Sequence, residues 1–441
     1  MQAAREPSPQ TRPRGRSRAR GRVLSVAPES RWSRLWRPFW ALPAAICAAA
    51  VVLGLLLPPA EQRIATSLPY VFQGGPDGAR SVLSTIATAM ISVTGLVFSL
   101  TMVVLQLASS QFTPRVLGSF LSSRITQATL GVFTASFVFA LTVLRFVQGA
   151  SDGRDAFVPQ LSVTIAFALV LASVGCFLAF IHHITTSIQV SHVVSRIGDE
   201  TAAALDRVYP RPHEEAGPAR GRTWSPEPDL SRAVVDASGG HGSVSHIDAA
   251  ALVDLAERLD AVITLDVQIG DFVTDGQPLA RVWGRDAVTD DDADALRARI
   301  WLAKERETRQ EIGFGLRQLV DIAERALSPG INDPTTAIQV VDEIHRLLRI
   351  LVTRREPSPY VSDAAGVVRL VHRPQGIEQM LRLGVEEIAH YGDDSPRVCR
   401  RLQAMLEDLA DVSLPPYQGT IADLLARVSA ATKDAQARPR S

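Results

Sequence analysis

Long unbroken apolar runs fill one part of this chain and are missing from the rest. Four of them, residues 39–57, 81–107, 125–147 and 161–184, approach or exceed the ~20 residues a helix needs to cross ~30 Å of hydrocarbon. In lipid every backbone amide must be paired internally, so an open chain crosses as helices. The pattern therefore predicts four transmembrane helices. Pro58 and Pro59 predict the end of the first, since neither can donate a helical hydrogen bond. Trp36, Trp40, Tyr70 and Phe72 flank the runs, where amphipathic rings favour the membrane–water boundary. No Asp, Glu or Lys lies inside any run, and Arg145 sits at the end of the third.

After residue 187 the pattern changes to that of a charged globular region. Residues 187–209 continue as an amphipathic helix carrying Ile188, Val193, Val194, Ile197 and Leu205. The Pro- and Gly-rich stretch 210–228 predicts a linker. Short β-patterned runs follow at 234–235, 243–247, 262–267, 272–273 and 279–283. Among them a helix at 249–259 is capped by Asp248, and Gly270-Asp271 and Asp275-Gly276 mark turns. Helical patterning then predicts a long helix over 293–327, with Gly313 and Gly315 as weak points and Thr289 or Asp290 as its cap. Asp333 with Pro334 opens a helix running to about residue 353. A strand at 367–371 and helices at 375–391, 395–412 and 420–435 complete the reading. The expected fold class is an α-helical membrane domain (four transmembrane helices) plus a cytoplasmic α+β region, a small β-rich module followed by helices. The expected divisions are 1–38, 39–186, 187–232, 233–288, 289–435 and 436–441.

Charge sharpens this picture. The 441 residues sum to zero, yet residues 1–38 hold ten Arg and two Glu, a net of +8, so the remainder sums to −8. This Arg/Pro/Ser-rich arm lacks the apolar residues for a core, so disorder is expected. It reads either as a solvated tail or as a contact for anionic lipid head groups, which attract basic clusters beside a membrane. No aromatic-interleaved module accompanies the arginines, which disfavours nucleic acid as a partner. Loop 58–80 is neutral (Glu61, Arg63, Asp77, Arg80), loop 108–124 carries Arg115 and Arg124, and loop 148–160 carries Asp152, Arg154 and Asp155. Positive segments stay inside, so both termini are expected in the cytoplasm of a multi-pass plasma (inner) membrane protein. The first run is read as a retained anchor rather than a cleaved signal, because three more runs follow directly.

Candidate chemistry is sparse. Thr85, Thr88, Ser92, Gly95 and Ser99 recur at three- and four-residue steps, so they share one face of the second span. That stripe suits close helix packing or the lining of a pore formed by several subunits. The loop 328–337 places Ser328, Asn332, Asp333 and Thr335 between two helices, either as a rigid corner or as a polar ligand loop. His182, His183 and His192 lack the i,i+4 spacing of a metal pair. Asp342/His345 and Glu387/His390 are acid–His pairs without the further donors of a di-iron bundle. Asp290, Asp291, Asp292 and Asp294 suit a helix start. No phosphate-binding loop, HExxH or GxSxG string occurs. Three cysteines, Cys47, Cys176 and Cys399, make no framework. The hairpin-like string Gly270–Leu279 resembles that of biotinyl or lipoyl carriers, but the lysines, Lys304 and Lys433, lie outside it. No metal, no cofactor and no enzymatic activity are expected.

The strings Leu96–Thr101 and Leu105–Arg115, then Gly242–Asp248, Gly270–Leu279 and Ser328–Ala337 in the same order, resemble the signatures of bacterial membrane proteins in domain-of-unknown-function family 2254. The resemblance covers roughly residues 39–430. It implies an inner-membrane protein with several N-terminal spans and a following soluble region, and brings no activity, substrate or catalytic residues. Thr113 and the Gly-Ser-Val-Ser of 242–245 depart from the family's usual choices. The expectation is an oligomeric channel or transporter gated by its cytoplasmic region, in contact with the lipid bilayer and with further copies of itself. A membrane-anchored scaffold or ligand sensor without transport activity is the alternative.

Overall fold

A computed structural model describes residues 39–63, 72–111, 123–149, 156–187, 189–209, 223–304, 306 and 311–437. The N-terminal arm with Trp36, Tyr70, most of loop 108–124, residues 210–222 of the linker and the last four residues lie outside that set.

Four helices are long and apolar enough to cross a membrane: α1 (Ala41–Arg63), α2 (Pro76–Gln111), α3 (Arg124–Leu144) and α4 (Gln160–Ser187). They are not equivalent. In α3 56% of the apolar 18-residue stretch is buried, against 17% in each of the others. The third span is the axis on which the other three pack. Glycine permits the closest approaches: a side chain at Gly131 would meet Pro43 and Ile46 of α1, and one at Gly54 would meet Thr142 of α3. Leu83, Phe133, Phe139, Val143 and Phe180 are wholly buried around this axis. Ser136 and Ser173 share a buried hydrogen bond of 3.1 Å between α3 and α4.

The ends of the bundle are tied by polar contacts. At one end the Glu61 carboxylate accepts the N–H of Leu161 (2.9 Å) and of Ser162 (2.8 Å), together with the Ser162 hydroxyl. At the other, Ser123 caps α3 and lies 2.7 Å from the His183 ring. Pro58 and Pro59 do not end the first span. The helix runs through both to Arg63, because membrane helices tolerate freed carbonyls where neighbours compensate and Glu61 beyond them is anchored on α4.

The chain divides into two compact units. One combines Ala203–Phe314 with Leu351–Ile377 and is β-rich. Its five-stranded sheet has the order β1 (Arg232–Asp236), β5 (Pro278–Trp283), β3 (Val262–Leu265), β8 (Val368–Val371), β7 (Tyr360–Ser362). Neighbours are antiparallel except β3 and β8, which run parallel with Ile263 opposite Leu370. A second sheet orders β4 (Phe272–Val273), β2 (Gly242–Ile247) and β6 (Ile300–Ala303). The alternation of exposed and buried residues along β1 is that of a strand with one face on a core. Helix α6 (Ala249–Arg258), capped by Asp248 on the Ala251 amide, supplies Leu252, Leu255 and Ala256 to that core. Helix α7 (Asp290–Arg297) is capped by Thr289. Gly270 and Gly276 take positive φ at the expected turns.

Here the expected helix over 293–327 gives way to three elements. α7 ends at Arg297, Ile300–Ala303 pairs with β2, and α8 (Ile312–Leu327) begins afresh. Ile300-Trp301-Leu302 suits either periodicity over so short a run, and pairing with Val244 and Ile247 decides it. Gly313 and Gly315 lie in the first turn of α8 and break nothing. The three-residue β7 was too short to read between Pro359 and Asp363.

The other unit joins the spans to Gly315–Ile350 and the chain from Glu378 onward. It contains most of α5 (Val190–Val208), α8 and α9 (Pro334–Val352), with α10 (Ile377–Tyr391), α11 (Pro396–Val412) and α12 (Pro415–Ala437). Each of α8 to α11 buries one apolar stripe, such as Val340, Ile344, Leu347 and Leu351 of α9.

Candidate functional site

The stripe on the second span faces away from the bundle. Thr85, Thr88, Ser92, Gly95 and Ser99 are all exposed in the single chain, beside Ile91, Leu96, Phe98 and Met102. It therefore takes no part in packing within one chain. Two of its hydroxyls are occupied locally: Thr85 donates to the Ser81 carbonyl at 2.7 Å and Ser92 to the Thr88 carbonyl at 2.9 Å. Such back-bonding lets a hydroxyl face an apolar medium without an unsatisfied donor.

The corner between α8 and α9 spends its polar groups on itself. The Ser328 hydroxyl donates to the Arg325 carbonyl, and the Asn332 amide donates to the Ser328 carbonyl. Asn332 adopts φ +48°, a left-handed conformation that asparagine tolerates. Asp333 caps α9, accepting the amides of Thr335 (3.0 Å) and Thr336 (3.1 Å) and the Thr336 hydroxyl (2.6 Å). The bonds from Thr336 hold the Asp333 carboxyl below the usual carboxylate range. The Thr335 side chain is exposed. Among the described residues no group of three His, Cys, Asp or Glu is arranged to hold a metal.

The acid–His pairs separate into two ion clusters. His345 lies 2.8 Å from Asp408 through Nε2, and Arg401 donates to its Nδ1 at 2.8 Å while also holding Asp342 at 2.5 Å. This knits α9 to α11. Hydrogen bonding to His345 and Arg349 holds Asp408 below its ordinary range. Glu387 turns instead to Arg317 of α8, whose guanidinium also reaches Asp321 (2.7 Å) and Glu324 (3.2 Å). Burial, with the adjoining Glu387 carboxyl, pushes Glu324 up to about 7. His390 faces a groove of about 390 Å³ between α10 and α12, floored by Val385, Ala389, Leu424 and Val428.

The most informative geometry lies where the fourth span leaves the bundle. α5 begins three residues after α4 ends and presents Val193, Val194 and Ile197 as a buried face. Its small residues key it into α8 and α9. A side chain at Gly198 would collide with Glu343 of α9, and one at Gly315 of α8 would collide with the fully buried Thr201. Asp199 adds an ion pair to Arg346 at 3.1 Å. In the β-rich unit, the buried Arg354 guanidinium donates to the carbonyls of Leu205 (3.4 Å) and Tyr209 (2.9 Å) and pairs with Asp206, closing the C-terminus of α5. Positive charge there complements the exposed carbonyls of a helix end. Glu61, Gly198, Thr201, Gly315, Arg317 and Arg354 are absent from the sequence-level site residues. Arg317, Asp321 and Glu324 did carry a legible i, i+4, i+7 signal.

The model of a family described as "Predicted membrane protein (DUF2254)" matches residues 36–408. An uncharacterised protein of Mycobacterium tuberculosis (strain H37Rv), Rv1290c, is 32% identical over 382 residues, 86% of this chain and 72% of its own length. The uncharacterised protein Mb1321c of Mycobacterium bovis matches at the same identity and coverage. No solved structure matches.

Proposed function

The chain belongs to the DUF2254 family of predicted membrane proteins, and from that premise we propose that it forms an oligomeric channel or transporter of the plasma (inner) membrane, gated by the region that follows its spans. One observation carries the reading. The fourth span passes into α5, and α5 is locked by Gly198, Asp199 and Thr201 onto α8 and α9. A displacement of those helices is thereby a displacement of the span, which is the mechanical requirement for gating.

In this reading copies associate through the outward stripe of Thr85, Thr88, Ser92, Gly95 and Ser99, and the pathway runs along it between subunits. Both termini lie in the cytoplasm, by the charge of the arm and of loop 108–124. The arm binds anionic lipid head groups. The chain is not an enzyme in this account, and it uses no cofactor.

The second reading, an anchored scaffold or ligand sensor without transport, is favoured by one specific observation: the Thr85 and Ser92 hydroxyls are bonded to their own helix and need no water. Single cysteines at Ser92 and Ser99 separate the two. A pore makes both reactive toward polar thiol reagents and gives ion flux from purified protein in liposomes. Protection of both, with no flux, favours the scaffold. Cysteines placed beyond residue 300 react only from the cytosolic side if the proposed orientation holds.

A further inference from the structure

One guanidinium serves three carboxylates at the contact between α8 and α10. Arg317 donates through Nε to Asp321, through Nη1 to both oxygens of Glu387 (2.5 Å each) and through Nη2 to Glu324. Asp321 is only 7% exposed and Arg317 24%. The charged groups facing Glu324 are Arg317 and Asp321 from its own helix and Glu387 from α10. One cation against three anions leaves a net −2 in a partly desolvated place. Glu324 and Glu387 sit on the two terminal nitrogens of this one guanidinium, Nη2 and Nη1, so their carboxyls are neighbours. Two carboxylates held this close repel while both are ionised, and a proton on one relieves the repulsion and supplies a donor toward the other.

We propose that Glu324 and Glu387 share one exchangeable proton, which makes the α8–α10 contact a latch: closed while the proton is held, loosened when it leaves. With the proton in place the cluster carries −1 and the two carboxyls attract. Without it they repel across the helix contact, and Arg317 alone opposes that repulsion. The position of Glu324 near 7 puts the change within the range of ordinary aqueous pH. The sign follows from linkage. The folded chain keeps a proton that the unfolded chain gives up near 4.5. The stabilisation is therefore full below that value, declines as pH rises through about 7, and is level above. α8 also carries Gly315, packed on Thr201 of the helix that continues the fourth span. The latch thus acts one helix away from the membrane, whether or not the spans conduct.

Hydrogen–deuterium exchange of the full-length protein in nanodiscs, corrected for intrinsic rates, tests this at about pH 6 and about pH 8.5. Peptides of α8 and α10 should lose protection several-fold at the higher pH relative to those of α11. Glu324→Gln keeps a donor toward Glu387 and should hold the protected state at both values. Equal protection of the wild-type helices at both values overturns the latch, as does an undiminished pH response in Glu324→Gln. Should that variant fail to fold, Glu387→Gln takes its place with the same two outcomes. Infrared difference spectra of the unmodified protein give an independent check, since a protonated-carboxyl band must vanish between the two values. Its absence refutes the shared proton.

Discussion

Glu61, at the end of the first span, accepts the backbone N–H of Ser162 at 2.8 Å and so caps the start of the fourth. The acid is the helix's N-terminal counter-charge, supplied from a hundred residues away. Three donors converge on it, the two amides and the Ser162 hydroxyl. Charge-assisted bonds of this kind contribute ~1.5–3 kcal/mol each at most. Glu61→Ala should lower the midpoint of thermal unfolding in detergent, while Glu61→Gln, which retains acceptor capacity, should lower it less. Equal midpoints for Glu61→Ala and the wild type would count against the cap.

Gly315 and Thr201 meet with no room for a side chain. Gly315→Ala should force α5 away from α8 at a cost of about 1–3 kcal/mol, the usual penalty for overfilling a packed site. Thr201→Ala removes the hydroxyl, which stands nearest the intruding carbon, together with the methyl, and should restore part of that loss in the double variant. Additive effects of the two substitutions, measured as denaturation midpoints, would show that they act separately.

Asp333 begins α9 through two amides and a hydroxyl. Asp333→Ala should cost ~1 kcal/mol, and Asp333→Asn less. Because the bonds with Thr336 hold its carboxyl below the ordinary range, its contribution is present at neutral pH. It is lost only as pH falls through that lowered value. A pH series of unfolding midpoints for wild type and Asp333→Ala should therefore converge in acid and stay parallel above pH ~5.

Arg354 is buried against the last carbonyls of α5. Arg354→Met keeps most of the volume and removes every donor. The expected loss is about 2–3 kcal/mol, from carbonyls left without their charged partner. Trypsin should then cut near Arg207 at lower protease concentrations than in the wild type. An unchanged cleavage profile would mean that water replaces the guanidinium.

Much of this architecture was readable because it rests on local rules. The four apolar runs became α1 to α4, since hydrocarbon admits no other open structure. Asp248 and Thr289 cap their helices as their side-chain chemistry predicts. What escaped depends on partners distant in sequence. β6 became a strand because Val244 lies beside Leu302, and α1 outran Pro58 because Glu61 found α4. The stripe from Thr85 to Ser99 was legible as a face, but periodicity says which residues share a side and not what that side touches. Gly198 stood unremarked and Gly315 was read only as a weak point in a helix for the same reason, as an isolated glycine signals a close approach only once its neighbour is known.

The enclosed third span has a consequence for biosynthesis. It is the least apolar of the four, and more than half of its apolar stretch is shielded by its companions. Such a segment meets bare lipid as a poor solute while it emerges from the ribosome, before the fourth has been made. Spans one and two should therefore favour its entry by covering part of it, so that assembly becomes a sequence of steps rather than four independent entries.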